Sequence, residues 1–215
     1  MTASAQYPRS ITIVDYGMGN LRSVAKVVAR LGADVRISSD PADMKWAERL
    51  ILPGVGAFPD AMRALHKVHL VDSLNEEVLV QKKPILGICL GMQLMAKSSA
   101  ELVHTEGLGW IDAAMVPFDR AKGIRIPHIG WNRVKIRRPV PLLDGFGDGS
   151  FCYFVHSFHM LCADPAVVVA TTNYGGDFVS VIAHDNIFGT QFHPEKSQAV
   201  GSIILINFVT GVLGL

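Results

Sequence analysis

Apolar residues in the first half of the chain fall into short β-branched runs separated by segments with helical spacing. Ile11-Thr12-Ile13-Val14 follows a polar tail and is bounded by the glycine-rich turn of residues 15–20, which predicts a buried strand. From Leu21 to Leu31 the positions Leu21, Val24, Val27, Val28 and Leu31 share one helical face, and Gly32 stands where a helix C-terminus favours glycine. Val35-Arg36-Ile37 and Leu50-Ile51-Leu52 predict two more strands, the second ended by Pro53-Gly54. Helical segments follow from Pro59 to His66 and from Leu70 to Val80, then a buried strand from Pro84 to Ile88 and a helix from Leu90 to Met95. Alternation of this kind predicts a mostly parallel sheet with helices on both faces. In such sheets chemistry collects at the carboxyl ends of the strands, and two glycine-rich turns, DYGMGN and LPGVGAF, lie at such ends.

The second half reads as strand-rich. Candidate strands are Ala114 to Phe118, Arg133 to Ile136, Cys152 to Phe158, Ala166 to Thr172, Val179 to His184 and Ile187 to Phe192, joined by hairpins, with Asp185-Asn186 as one tight turn. The last 16 residues, VGSIILINFVTGVLGL, are too short for a comfortable membrane span and are broken by Asn207, Gly211 and Gly214; a buried C-terminal helix is expected. The N-terminal residues carry no basic stretch followed by an apolar one and do not read as a signal peptide. The expectation is a disordered tail over residues 1–9 and one α/β domain over 10–215, a mixed, mostly parallel central sheet with flanking helices.

Composition narrows the function classes. The 215 residues are 49% hydrophobic and 18% charged with a net charge of +1, and no basic run exceeds the cluster Lys135, Arg137 and Arg138. That argues against a nucleic-acid binder, whose affinity rests on clustered positive charge. Cys89, Cys152 and Cys162 form no CxxC pair and leave an odd one out, which predicts a reduced, cytoplasmic setting. The eight histidines show no HxH or HExxH spacing, and no Walker or dinucleotide fingerprint is present, so no metal and no cofactor are expected.

One cysteine stands apart. Gly87-Ile88-Cys89-Leu90-Gly91 follows a buried strand and opens a helix, the setting of a nucleophile elbow with sulfur in place of oxygen. Flanking glycines relieve the crowding in so tight a turn, and the helix N-terminus favours the thiolate over the thiol. The pentapeptide alone is equally compatible with a buried core cysteine. His193-Pro194-Glu195, at the end of another strand, adds the rest of a triad. Proline pushes His193 to an extended conformation, and in an extended segment the Glu195 carboxylate lies on the same side and can orient the imidazole. The turn Pro53-Gly54-Val55-Gly56 and the amide of Leu90 are candidate oxyanion donors, although by itself the turn reads as a tight loop.

GICLGMQLM, LPGVGAF and GTQFHPEKS resemble the triad-type class I glutamine amidotransferases, and DYGMGNLRSV, PHIGWN and YFVHSF narrow the resemblance to their imidazole glycerol phosphate synthase branch. The similarity runs from about Ile11 to the end and implies a flavodoxin-like fold. It implies that Cys89 attacks the side-chain amide of glutamine, with His193 as proton carrier, Glu195 orienting it, and backbone donors in the Gly54–Val55–Gly56 loop and at Leu90. It further implies that Gln93, Glu101 and the segment His156-Ser157-Phe158 hold the substrate. The implied partner is a (β/α)8-barrel cyclase that takes the ammonia, docking on Asn20, Trp131 and Lys196, with little turnover until that partner carries its own ligand. Taken alone, Trp131 reads equally well as a core aromatic, Gln93 as a solvated polar residue and Glu101 as a surface acid. A subunit serving another synthase, a non-catalytic binding module or a cysteine peptidase are the competing readings.

Overall fold

The computed structural model describes residues 10–211; the tail expected to be disordered lies outside the described residues, as do the last four positions of the C-terminal apolar window. The first run of apolar residues forms β1 (Ser10–Val14), and the amphipathic segment after it forms α1 (Leu21–Arg30), which buries Val24 and Val28. Gly32 follows with φ +87°, the left-handed turn that glycine adopts without strain. β2 (Asp34–Ser38) is next, then α2 (Pro41–Trp46), a helix that the apolar pattern does not reveal. It is opened by local chemistry: the Asp40 carboxylate accepts from the Ala42 amide, and Pro41 fills the first turn. β3 (Arg49–Gly54) leads to α3 (Phe58–Lys67) and α4 (Leu70–Asn75). The expected helix from Leu70 to Val80 is therefore irregular, because residues Glu76–Val80 widen into a π-helical turn. β4 (Ile85–Cys89) and α5 (Leu90–Leu94) complete the first half.

The second half consists of β5 (Ala96–Ser99), β6 (Thr105–Glu106), β7 (Ile111–Pro117), β8 (His128–Ile136), β9 (Ser150–His156), β10 (Phe158–Cys162), β11 (Val168–Asn173), β12 (Asp177–His184) and β13 (Ile187–Thr190), closed by α6 (Gln198–Thr210). Nine strands form the central sheet in the order β2-β1-β3-β4-β13-β12-β11-β8-β9. The run β2-β1-β3-β4-β13 is parallel, and the remaining strands join it antiparallel. A second sheet has the order β10-β7-β5-β6.

This second sheet corrects the sequence expectation at one telling place. The strand expected from Cys152 to Phe158 is two strands in two sheets: β9 pairs with β8, β10 pairs with β7, and Ser157 is the break between them. The apolar alternation runs on across the break, so its period does not betray it. The hairpin expectation holds for β8–β9, β11–β12 and β12–β13, the last closing through Asp185 at φ +49°.

Hydrophobic side chains pack in two cores on opposite faces of the central sheet. One gathers Val24 and Val28 of α1 with Ile204, Leu205 and Phe208 of α6 against Ile11, Ile13 and Phe188. The other packs α2 to α5 and the small sheet against Val14, Leu50, Leu52 and Ile85. No helix among the described residues is long and apolar enough to cross a membrane.

Candidate active site

Strand order reverses between β1 and β3, and the carboxyl ends of β3, β4 and β13 lie side by side next to that point. Cys89 ends β4 with φ 54° and ψ −110°, an uncommon conformation for a residue with a side chain. Both flanking glycines are required by contact. A Cβ on Gly91 would stand 1.7 Å from the Leu52 carbonyl oxygen, and one on Gly87 would stand 2.7 Å from the Met92 backbone. The turn from β4 into α5 therefore closes only with glycine on both sides, and Cys89 is what it presents.

His193 follows β13 and reaches the same edge. Its Nδ1 lies 2.9 Å from Glu195 Oε1, both side chains being buried. The route differs from the expectation. His193 is itself extended, as expected, but Pro194–Lys196 is a 3₁₀ turn rather than a continuation of that segment, and this turn brings the Glu195 carboxylate to the Nδ1 edge of the ring. The turn is held by Ser197, whose hydroxyl donates to the His193 carbonyl at 2.7 Å and accepts from the Tyr153 amide at 3.0 Å. His193 Nε2 is buried without a hydrogen-bond partner, and Cys89 is the neighbour that acts on it. Burial pushes the imidazole down, but Cys89 and Glu195 outweigh it and raise the pKa to about 9. An imidazole so placed stabilises a neighbouring thiolate and can return its proton to a leaving group.

A cavity of about 430 Å³ opens over Cys89 and His193, large enough for an amino acid. Val55, Gly56, Leu90, Gln93, Glu101, His156, Ser157, Phe158 and Lys196 all line it, so most of the residues singled out by sequence meet here. Gly54 does not line it. It pairs with Cys89 across the parallel ladder, and its missing side chain makes room for the Tyr16 hydroxyl and for Leu90. Gly56 holds φ +111°. Neither Gln93 nor Glu101 is a solvated surface residue. Gln93 is buried, donating to Gln191 Oε1 at 3.0 Å and to the Phe158 carbonyl at 3.3 Å. Glu101 Oε2 accepts from the Phe58 amide at 2.8 Å, at the start of α3.

Three neighbours escape sequence reasoning. Gln191, fully buried, places Nε2 3.8 Å from the Cys89 sulfur. Tyr16 donates to the Pro53 carbonyl at 2.9 Å, and burial and the nearby Cys89 both push its phenol up. His128 stands 3.2 Å from His156. Gln191 belongs to the GTQFHPEKS segment and Tyr16 to DYGMGN, so proximity in sequence was the available signal.

The expected docking residues sit outside or at the rim. Trp131 is 47% exposed, with its ring edge against Tyr153, so it is not a core aromatic. Asn20 precedes α1 without capping it through its side chain. Lys196 lines the cavity and also approaches the Tyr153 ring, 5.8 Å from its centroid. Among the described residues no cluster of side chains could hold a metal ion.

Comparison with known proteins agrees with this geometry. The family model for class-I glutamine amidotransferases matches residues 12–211. The chain is 48% identical over 199 residues to imidazole glycerol phosphate synthase subunit HisH 1 of Campylobacter jejuni, covering 93% of this chain and 98% of that one. It is 45% identical over 199 residues to subunit HisH 2 of Pseudomonas aeruginosa, with the same coverage. Among solved structures, a chain of PurLQS from Thermotoga maritima superposes with a TM-score of 0.70 at 17% identity, covering 94% of this chain and 97% of that one, a likeness of fold. Shared architecture and whole-length identity thus converge: the chain belongs to the class-I glutamine amidotransferases and, within them, to the HisH subunits of imidazole glycerol phosphate synthase.

Proposed function

We propose that this chain hydrolyses glutamine through Cys89, His193 and Glu195 and delivers the ammonia to a cyclase subunit that forms imidazole glycerol phosphate in histidine biosynthesis. The observation that carries the reading is the convergence of Cys89, Gln93, Glu101 and His193, the last held by Glu195 from behind, on one cavity of amino-acid size. In the reaction the Cys89 thiolate adds to the side-chain amide carbon of glutamine. Backbone amides of Leu90 and of the Val55–Gly56 turn face the developing oxyanion. The His193 imidazolium gives its proton to the amide nitrogen, the C–N bond breaks, and ammonia leaves a glutamyl thioester on Cys89. Water, deprotonated by His193, then adds to the thioester carbonyl and releases glutamate and the thiolate. Glu195 keeps the ring oriented and compensates its charge through both halves.

Ammonia protonates in bulk water, so the acceptor must be docked where the cavity can drain into it. The surface formed by Asn20, Trp131 and Lys196 is that docking face, and the partner is a (β/α)8-barrel cyclase. Turnover is low until the barrel carries its own ligand, because the Val55–Gly56 turn must settle into its oxyanion geometry. Glutamate release from glutamine, with and without the cyclase and its nucleotide ligand, tests the reading. Strong stimulation by the liganded partner, falling by ~10³ or more in Cys89→Ala, is the expected result. Full turnover by the isolated chain would refute the coupling, and retention of activity in Cys89→Ala would refute the nucleophile.

A further inference from the structure

His128 and His156 are both buried, and neither takes part in the reaction described above. They stand opposite one another at the cavity end of β8 and β9. Nδ1 of His128 lies 3.2 Å from Nε2 of His156. What lies at the two ends of this contact decides where its protons are. His156 Nδ1 is 2.8 Å from the Phe158 carbonyl, which can only accept, so that nitrogen carries the proton and donates. Nε2 of the neutral ring is then a lone pair and accepts from His128 Nδ1–H. Nε2 of His128 becomes an acceptor in turn, and it faces Asn132 Nδ2 at 3.2 Å. The Asn132 amide cannot be turned over. Its Oδ1 accepts from the Arg133 amide at 2.8 Å, and its Nδ2 also donates to the Asn173 carbonyl at 3.0 Å.

The result is a chain of hydrogen bonds with one direction, from Asn132 through both imidazoles to the Phe158 carbonyl. A second proton on His156 would set two N–H groups face to face. Burial holds His128 down at about 4, and burial together with the neighbouring histidines, against the opposing Phe158 carbonyl, holds His156 at about 3. The carbonyl at the end of the chain also accepts from Gln93, whose second N–H is taken by Gln191. Both N–H groups are then engaged, and Gln93, which lines the cavity, keeps its amide oxygen as an acceptor.

We propose that His128 is a positioning residue for glutamine: by donating to His156 it locks the tautomer that pins the Phe158 carbonyl, and with it the Gln93 amide, at the wall of the cavity. This rests on the reading of the cavity as the glutamine site. Two measurements on the full chain test it. Nitrogen-15 imidazole spectra of the wild-type chain at pH 7 are expected to show both rings neutral and protonated at Nδ1. An Nε2–H ring or an imidazolium at either position overturns the proposal whatever the activity. The second measurement is steady-state glutamate release in the complex with the liganded cyclase. His128→Phe keeps the ring stacking on Phe154 and Tyr174 but removes the donor. Its KM for glutamine is expected to rise about tenfold, the worth of one buried hydrogen bond, with kcat within about threefold. His128→Asn places an amide N–H near the lost ring nitrogen and is expected to restore most of the KM. An unchanged KM in His128→Phe, or an equal rise in both variants, overturns the positioning role. Absence of turnover in the wild-type complex would sink the glutaminase reading instead, and the spectra separate that failure from a failure of the hydrogen-bond chain.

Discussion

His193 has burial working against its charge and two partners working for it, and the partners prevail. Its raised pKa in the folded chain has a defined sign in linkage. The protonated ring contributes stability fully below the unfolded value near 6.5, and that contribution is lost as pH rises through about 9. Nuclear magnetic resonance of the His193 ring is therefore expected to show a titration near 9. Cys89→Ala and Glu195→Gln should each lower the midpoint, since each removes a group that holds the proton. A midpoint that ignores both substitutions would mean that neither group governs the ring. Cys89 itself sits at φ 54°, a conformation costing on the order of 1–3 kcal/mol that the packing of β4 and α5 imposes.

Elements differ in how closely their neighbours hold them, and glycines measure this. Gly91→Ala drives a methyl into the Leu52 carbonyl, a backbone atom that cannot step aside, so a loss of about 3 kcal/mol or more, or failure to fold, is expected. Gly32→Ala meets nothing within 4 Å and carries only the backbone cost of φ +87°, about 1–2 kcal/mol. Denaturant unfolding of the two variants compares them directly; equal losses would remove the case for close packing at the elbow. The same contrast between local and distant causes explains what could be read from sequence. β1, α1 and β4 carry their own periodicity, and the elbow and HPE segments carry their own chemistry, so they were legible. β5 is Ala-Lys-Ser-Ser, which has no strand signature and becomes a strand by pairing with β7. The break at Ser157 and the roles open to Gln191 and His128 likewise depend on partners far along the chain.

At the scale of the molecule, the exposed face of β8 and β9 stands out: Ile129, Trp131 and Phe151 are all exposed there. Trp131→Ala is expected to weaken association with the cyclase at least tenfold, as loss of an aromatic anchor does, while leaving the thermal midpoint of the isolated chain nearly unchanged. Calorimetric titration of the two proteins reads this, and an unaltered affinity would place the partner on another face. The break at Ser157 has a wider consequence. β9 belongs to the nine-stranded sheet and β10 to the four-stranded one, so the cavity wall at His156, Ser157 and Phe158 is sewn into both. The width of the cavity is then inherited from the way two sheets lean on each other. Drift in the apolar residues of β7 and β10 could retune which amide fits, over evolutionary time, without touching Cys89, His193 or Glu195.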